Sequence, residues 1–139
     1  MSMKQIIAVC GVLSLALMLF IASALAMDAP IAEYDGSNTA IRVKPGERFA
    51  ISLESNPTTG YKWHLPDIQE KNILALIGSK YYPSGARLIG AGGRERWVFR
   101  ASGPGKVSLH FKYFRPWEKD PSAAKEAVFN VEVIDRKVK

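Results

Sequence analysis

Apolar and polar residues alternate with a period of two along several short stretches of the chain. The clearest run covers residues 107–113, where four large apolar side chains alternate with smaller or polar ones. This alternation buries every second side chain, which is typical of a β-strand with one face on a core. The same period predicts further strands, giving about seven in all, at residues 40–43, 49–54, 61–65, 73–77, 94–101 and 127–133.

Turn-forming residues separate these segments. Residues 44–46 read Lys-Pro-Gly and residues 103–105 read Gly-Pro-Gly, combinations in which proline presets one backbone angle and glycine permits a positive φ. About seven short strands in roughly 100 residues predict an all-β, immunoglobulin-like β-sandwich. The secondary structure of residues 73–77 is the hardest to assign, because so short an apolar run fits a strand or one helical turn. We favour a strand.

The first 26 residues have the composition of a signal peptide. Lys4 is the only charge before a long apolar run, and residues 24–26 read Ala-Leu-Ala, the small-x-small pattern of a cleavage site. We therefore expect a leader at residues 1–26 and one domain at residues 27–139, secreted or periplasmic after cleavage. The alternative is an uncleaved membrane anchor, since about 20 apolar residues can cross a bilayer.

Composition excludes several classes of function for the mature chain. The only cysteine, Cys10, lies in the leader, so disulfides and thiolate chemistry are excluded after cleavage. Removing 26 residues from 139 leaves 113, of which 46 are apolar or aromatic, enough for a core without cross-links. The net charge is +6 for the whole chain and +5 once Lys4 is removed with the leader, and it comes from scattered residues without a basic run. Nucleic acid is therefore a poor candidate partner, and an acidic protein surface is a better one.

Three connections carry the unusual residues, and in a sandwich of seven strands lettered A to G they should meet at one end. The B–C connection, called here the tip loop, is residues 56–61 and brackets two threonines between proline and glycine. The D–E connection contains the glycine loop, residues 90–93, whose lack of bulk permits close backbone approach. The F–G connection contains the anchor loop, residues 115–118, in which a proline precedes an aromatic side chain of the kind found at interfaces.

Each loop also has a simpler interpretation. The tip loop and the glycine loop are ordinary hairpin turns in composition. Trp117 could fold back over the end of the sandwich, because tryptophan is usually largely buried. No single loop decides between the simple interpretation and a binding surface.

The three loop sequences, in this order on a β-sandwich and with Trp97 shortly after the glycine loop, resemble the chagasin family of cysteine peptidase inhibitors. The resemblance implies a monomer that binds papain-like cysteine peptidases one-to-one and blocks the active-site cleft as a tight, reversible, competitive inhibitor. It implies that the tip loop enters the cleft, with its threonines nearest the catalytic cysteine, and that the other loops lie on either side. The implied peptidase-binding residues are Asn56, Pro57, Thr58, Thr59, Gly60, Tyr61, Gly90, Ala91, Gly92, Gly93, Arg115, Pro116 and Trp117.

An enzyme is a weaker alternative. His64 and His110 are the only histidines, and both alternate with core positions, so both should face solvent. If strands C and F pair, the two imidazoles could approach each other and bind a metal, but two histidines without nearby carboxylates make a poor site. No side chain is marked as an activated nucleophile. We expect no catalytic residues, no metal and no cofactor.

A secreted adhesion or carbohydrate-binding sandwich is the second alternative. Trp117, Tyr81 and Tyr82 would then form an aromatic platform. Such a platform would not require the narrow tip loop, so the substitution Thr59→Arg would be tolerated. The two tyrosines are more simply explained as strand residues, one facing the core and one the surface.

Overall fold

Eight β-strands and one short 3₁₀ turn form the regular structure of this protein. The computed structural model describes residues 30–66, 68, 72–85, 89–119 and 122–135, so the leader predicted at residues 1–26 lies outside the described residues. No helix in the described part is long and apolar enough to cross a membrane. In chain order the elements are β1 (Ala32–Tyr34), β2 (Thr39–Val43), β3 (Arg48–Ser55), the 3₁₀ turn (Pro57–Thr59), β4 (Lys62–His64), β5 (Leu74–Pro83), β6 (Gly93–Ala101), β7 (Gly105–Phe114) and β8 (Lys125–Val133).

The strands form two four-stranded sheets with the orders β1-β3-β6-β5 and β2-β8-β7-β4. This confirms the predicted all-β sandwich of two sheets. The strand count is eight rather than about seven, because β1 lies before the first strand predicted from the sequence, at residues 40–43. Strand β1 has three residues, two of them exposed, and pairs in parallel with β3. So short and exposed a strand cannot show a periodic pattern.

Strand β5 was predicted at residues 73–77 and extends further, to Pro83. It lies at the edge of its sheet and is exposed along most of its length, with a register irregularity between Leu76 and Gly78. An edge strand with little burial on either face need not alternate between apolar and polar residues. Tyr81 and Tyr82 lie in this strand, half-buried and exposed respectively, so the surface position of one ring agrees with the prediction, while neither ring belongs to the buried core.

Phe111 of β7 lies at the centre of the core between the two sheets. Its ring centroid is 5.3 Å from that of Trp97 in the opposite sheet and 5.9 Å from that of Phe129 in its own sheet, both edge-on. Edge-to-face pairs at these distances are favourable beyond their buried area. The alternating apolar residues of the sequence supply the remaining core, namely Ile41, Val43, Phe49, Ile51, Leu53, Trp63, Leu74, Phe99, Ala101, Val107, Leu109, Tyr113, Ala127, Val131 and Val133.

The strand directions separate the two ends of the sandwich. Ser55 at the end of β3 pairs with Gly93 at the start of β6, and Tyr113 near the end of β7 pairs with Lys125 at the start of β8. The connections β3–β4, β5–β6 and β7–β8 therefore leave one end. Because β1 runs parallel to β3 and β8 runs away from the loops, the described chain enters and leaves at the opposite end.

Candidate functional site

The tip loop forms a tight 3₁₀ turn at the end where the three connections meet. The Thr59 N–H donates to the Asn56 carbonyl at 3.1 Å, and the Gly60 N–H donates to the Pro57 carbonyl at 3.1 Å. Proline begins the turn, and Gly60 ends it with a left-handed φ of 82°. The narrow turn predicted from Pro57 and Gly60 is therefore present, with Thr58 and Thr59 exposed on it.

Asn56 connects the tip loop to the glycine loop. Its Nδ2 donates to the Gly90 carbonyl at 2.9 Å, while its Oδ1 accepts from the Thr58 hydroxyl at 2.6 Å. At Gly92, a Cβ would lie 3.2 Å from the Ser55 carbonyl oxygen, so the absence of a side chain permits the two loops to approach closely. The predicted meeting of these two loops is confirmed.

Arg115 connects the anchor loop to the tip loop from the other side. Its Nε donates to the Thr59 carbonyl at 3.1 Å, and its guanidinium lies 4.4 Å from the centroid of the Tyr61 ring. Its Nη1 lies 3.4 Å from Glu118 Oε1. Both contacts to the tip loop involve a planar cation, which can donate a hydrogen bond and stack at the same time.

Trp117 is exposed, with 65% of its surface accessible, although one edge of its ring lies against Gly60. The ring therefore does not fold back into the core, and the exposed position predicted for it is confirmed. The tip loop, the glycine loop and the anchor loop together present an asymmetric surface: exposed threonines at the centre, a flank with little side-chain bulk, and an aromatic side chain on the other flank.

A cleft of about 870 Å³ lies at this end of the sandwich, lined by parts of all three loop regions. Arg94, Arg115 and Lys125 contribute positive charge to its lining, and Glu54 contributes negative charge. This excess of basic groups favours an acidic surface on whatever binds here.

The two histidines lie outside this site. In the pairing of β4 with β7, His64 is opposite Lys112 rather than His110, and its ring stacks on Phe114 with centroids 4.2 Å apart. The described residues contain no group of three or more histidine, cysteine, aspartate or glutamate side chains arranged to hold a metal.

Tyr113 is the residue of this site that the sequence does not single out. It appears there only as the last apolar position of a strand, and its ring is indeed buried. Its hydroxyl oxygen, however, accepts a hydrogen bond from the Asn56 N–H at 2.9 Å, at the beginning of the tip loop. Its position two residues before Arg115 is the only hint in the sequence that it reaches the site.

Glu95 lies beneath the loops, on the inward face of β6 that Trp97 and Phe99 also occupy. Burial raises the pKa of its carboxyl, and a hydrogen bond with Ser55 and the charge of Lys62 offset part of the rise. The folded protein thus holds this proton more tightly than the unfolded chain does. Glu95 contributes stability that is fully present below the unfolded pKa of about 4.3 and is lost as the pH rises through the folded value.

We therefore expect Glu95→Gln to change how stability depends on pH. Above about pH 4 the free energy of unfolding of the unsubstituted protein should fall relative to that of the variant, until the pH has passed the raised pKa of Glu95, because the glutamate at position 95 ionises and the glutamine does not. Urea unfolding at a series of pH values measures this difference. Glu126→Gln, at an exposed position of β8, is the control. A difference between protein and E95Q that stays constant with pH would contradict the assignment.

Comparisons with known proteins identify the family to which this sequence is similar. The sequence matches the family described as Chagasin family peptidase inhibitor I42 over residues 42–133. It is 31% identical over 84 residues to chagasin of Trypanosoma cruzi, covering 58% of this chain and 76% of that protein.

Two solved structures show the same fold. The structure is similar to the crystal structure of the cysteine protease inhibitor EhICP2 of Entamoeba histolytica, with a TM-score of 0.65 and 17% identity over 77% of this chain and all of the other. It is also similar to PbICP-C, solved in complex with falcipain-2, with a TM-score of 0.55 and 21% identity over 78% of this chain and 95% of the other.

Proposed function

The chain belongs to the chagasin family of cysteine peptidase inhibitors, and we propose that it blocks the active-site cleft of papain-like cysteine peptidases with its three loops. It is an inhibitor rather than an enzyme. The observation that carries the proposed mechanism is the convergence of the tip loop, the glycine loop and the anchor loop, joined by hydrogen bonds from Asn56 and Arg115. In this mechanism the tip loop enters the cleft.

The roles of the loops follow from what each exposes. Thr58 and Thr59 are small enough to enter a narrow cleft and would lie nearest the catalytic cysteine of the peptidase. The glycine loop offers backbone groups for pairing along one wall. Trp117, already exposed in the free protein, would pack against the other wall as the main aromatic contact.

Inhibition in this mode requires no chemistry from the inhibitor. A substrate is cleaved when its carbonyl reaches attack geometry and the oxyanion is stabilised. The tip loop is instead held by hydrogen bonds within the inhibitor, at both Asn56 and Thr59, which oppose the extension needed for cleavage. A loop that fills the cleft without presenting a scissile bond remains bound.

The test is a titration of residues 27–139 into active-site-quantified papain with a fluorogenic substrate. Trypsin, a serine peptidase, is the control. We expect inhibition of papain alone, at one-to-one stoichiometry, with an apparent inhibition constant that increases with substrate concentration. Absence of inhibition at micromolar concentrations of folded protein, or a constant that does not change with substrate, would contradict the proposal.

Thr59→Arg separates this function from a carbohydrate-binding platform. The added side chain lies on the exposed tip of the turn and should prevent the tip loop from entering a cleft, weakening inhibition at least tenfold. Ala40→Arg, which adds the same charge at an exposed position of β2, is the control. Papain inhibition is the measurement. Full inhibition by T59R would show that the tip loop does not enter the cleft.

The leader and the oligomeric state complete the proposal. With residues 1–26 removed as a signal peptide, the inhibitor would be secreted or periplasmic and would act as a monomer. N-terminal sequencing of the protein recovered from producing cells tests the cleavage after Ala26. An N-terminus that still contains the leader would instead support a membrane anchor.

A further inference from the structure

We propose that Tyr113 and Arg115 are positioning residues that hold the tip loop in its inhibitory shape before any peptidase binds. The inference rests on the proposed function. It gives Arg115 a different role from that of a direct peptidase contact, and it gives Tyr113, a core residue by sequence, a role in inhibition.

Both residues pack against the ring of Tyr61. The ring of Tyr113 stacks on one face of Tyr61, with centroids 5.4 Å apart and planes inclined by 23°. The guanidinium of Arg115 lies over the ring of Tyr61 at 4.4 Å. Stacking of this kind fixes the ring that ends the tip loop and so fixes the point at which the chain returns to β4.

The polar groups of the same two residues bind the two ends of the 3₁₀ turn. The Tyr113 hydroxyl accepts from the Asn56 N–H at 2.9 Å, where the turn begins. The Arg115 Nε donates to the Thr59 carbonyl at 3.1 Å, where the turn ends. One residue therefore holds the first backbone group of the turn and the other holds the last.

Tyr113 lies in β7, an inner strand of its sheet, and Arg115 follows directly after the end of that strand. Strand β7 is paired with β8 on one side and with β4 on the other, and Tyr113 has a partner in each, Lys125 and Trp63. A strand paired on both sides moves less than a free loop. The shape of the tip loop is thus set by a rigid element, which lowers the ordering cost on binding.

The contacts of Arg115 explain why it acts through the tip loop. Its Nε is used by Thr59 and its Nη1 lies beside Glu118, so two of its donor nitrogens already have partners within the chain. Only 37% of its side chain is accessible. A residue whose main purpose was to bind a peptidase would present these donors outward.

Tyr113→Phe and Arg115→Lys test the proposal. The first removes one hydroxyl and keeps the ring, and the second keeps the charge but loses the planar group that stacks and donates together. We expect each to weaken papain inhibition about tenfold at 25 °C. We expect amide hydrogen exchange at Thr59 and Gly60 of the free protein to accelerate. Lys119→Ala, which removes an exposed charge four residues after Arg115, should change neither quantity more than about twofold.

Three results would overturn the proposal. If R115K inhibits as the unsubstituted protein does, the charge matters and the positioning does not. If Y113F inhibits normally, the hydroxyl does not hold the tip loop for binding. If inhibition weakens while exchange at Thr59 and Gly60 is unchanged, the two residues act by direct contact. Unfolding curves for each variant confirm that it is folded at 25 °C, which separates positioning from a general loss of stability.

The same experiments distinguish this inference from the proposed function. If the unsubstituted protein does not inhibit papain, the proposed function fails for that peptidase. Exchange at Thr59 and Gly60 of the free protein still reports whether Tyr113 and Arg115 restrain the turn. Normal inhibition by all the variants would leave the proposed function intact and refute the positioning role.

Discussion

Gly60→Ala is expected to weaken peptidase inhibition about 30-fold while leaving the sandwich folded. Two effects act at this position, one on stability and one on binding. The φ of 82° is unfavourable for alanine by about 1 kcal/mol in the free and the bound protein alike, so it lowers the free energy of unfolding. In addition, the new Cβ would lie 2.6 Å from Trp117 Cζ2, so the indole ring must move away from its place in the free protein, where we propose that it meets the peptidase. An aromatic hot spot contributes about 2 kcal/mol to the free energy of binding, and each 1.4 kcal/mol lost raises the inhibition constant by a factor of about ten.

Gly46→Ala is the matched control for this variant. Gly46 has nearly the same φ, 86°, but no atom lies within 4 Å of the position of a Cβ, and it occurs in the turn between β2 and β3, at the other end of the sandwich. We expect G46A to lower the free energy of unfolding by about 1 kcal/mol and to inhibit normally. The measurements are the papain inhibition constant and urea unfolding. Equal inhibition by G60A and G46A would show that the contact between Gly60 and Trp117 is irrelevant to binding.

Trp117→Ala is expected to weaken inhibition about 30-fold, corresponding to the roughly 2 kcal/mol of an aromatic hot spot. Because 65% of the side chain is accessible in the free protein, its removal should change the free energy of unfolding by less than about 1 kcal/mol. Binding and stability are therefore expected to respond very differently. Inhibition assays and thermal unfolding of the same preparation measure the two effects.

Two further variants serve as references for W117A. Trp97→Ala should mainly lower stability, and Ile134→Ala should leave both binding and stability unchanged. Trp97 is buried in the core against Phe111, so its truncation should cost about 3 kcal/mol or more of stability. Ile134 is an exposed apolar residue just after β8, at the end away from the loops, and should change neither quantity. A loss of stability in W117A as large as its loss of binding would mean that Trp117 supports the fold rather than the interface.

The sandwich was predictable because burial on one face leaves a period of two in the sequence. Strand β7 shows this most clearly, with Val107, Leu109 and Phe111 all buried and the intervening residues exposed. The same dependence on burial explains why the sequence does not predict strand β1 and predicts strand β5 too short. Both are edge strands with little burial, and a strand held mainly by backbone pairing has no need of alternating side chains.

The positions of the loops were also predictable, but their mutual contacts were not. Pro57 and Gly60 indicate a tight turn because proline fixes its own φ angle and glycine can adopt a positive φ. The bond from Asn56 to the Tyr113 hydroxyl and the bond from Arg115 to Thr59 join residues more than fifty positions apart in the sequence. Such contacts depend on how two sheets pack, and no local pattern encodes them.

The placement of both chain ends opposite the loops determines how this domain can be attached to something else. Whatever precedes Pro30 or follows Asp135 joins the domain at the end remote from the tip loop. The three loops lie at the end of the sandwich that neither Pro30 nor Asp135 occupies, so an attachment at either terminus does not itself cover them. The fold is in this sense suited to display, and immobilisation through either terminus should preserve access to the loops.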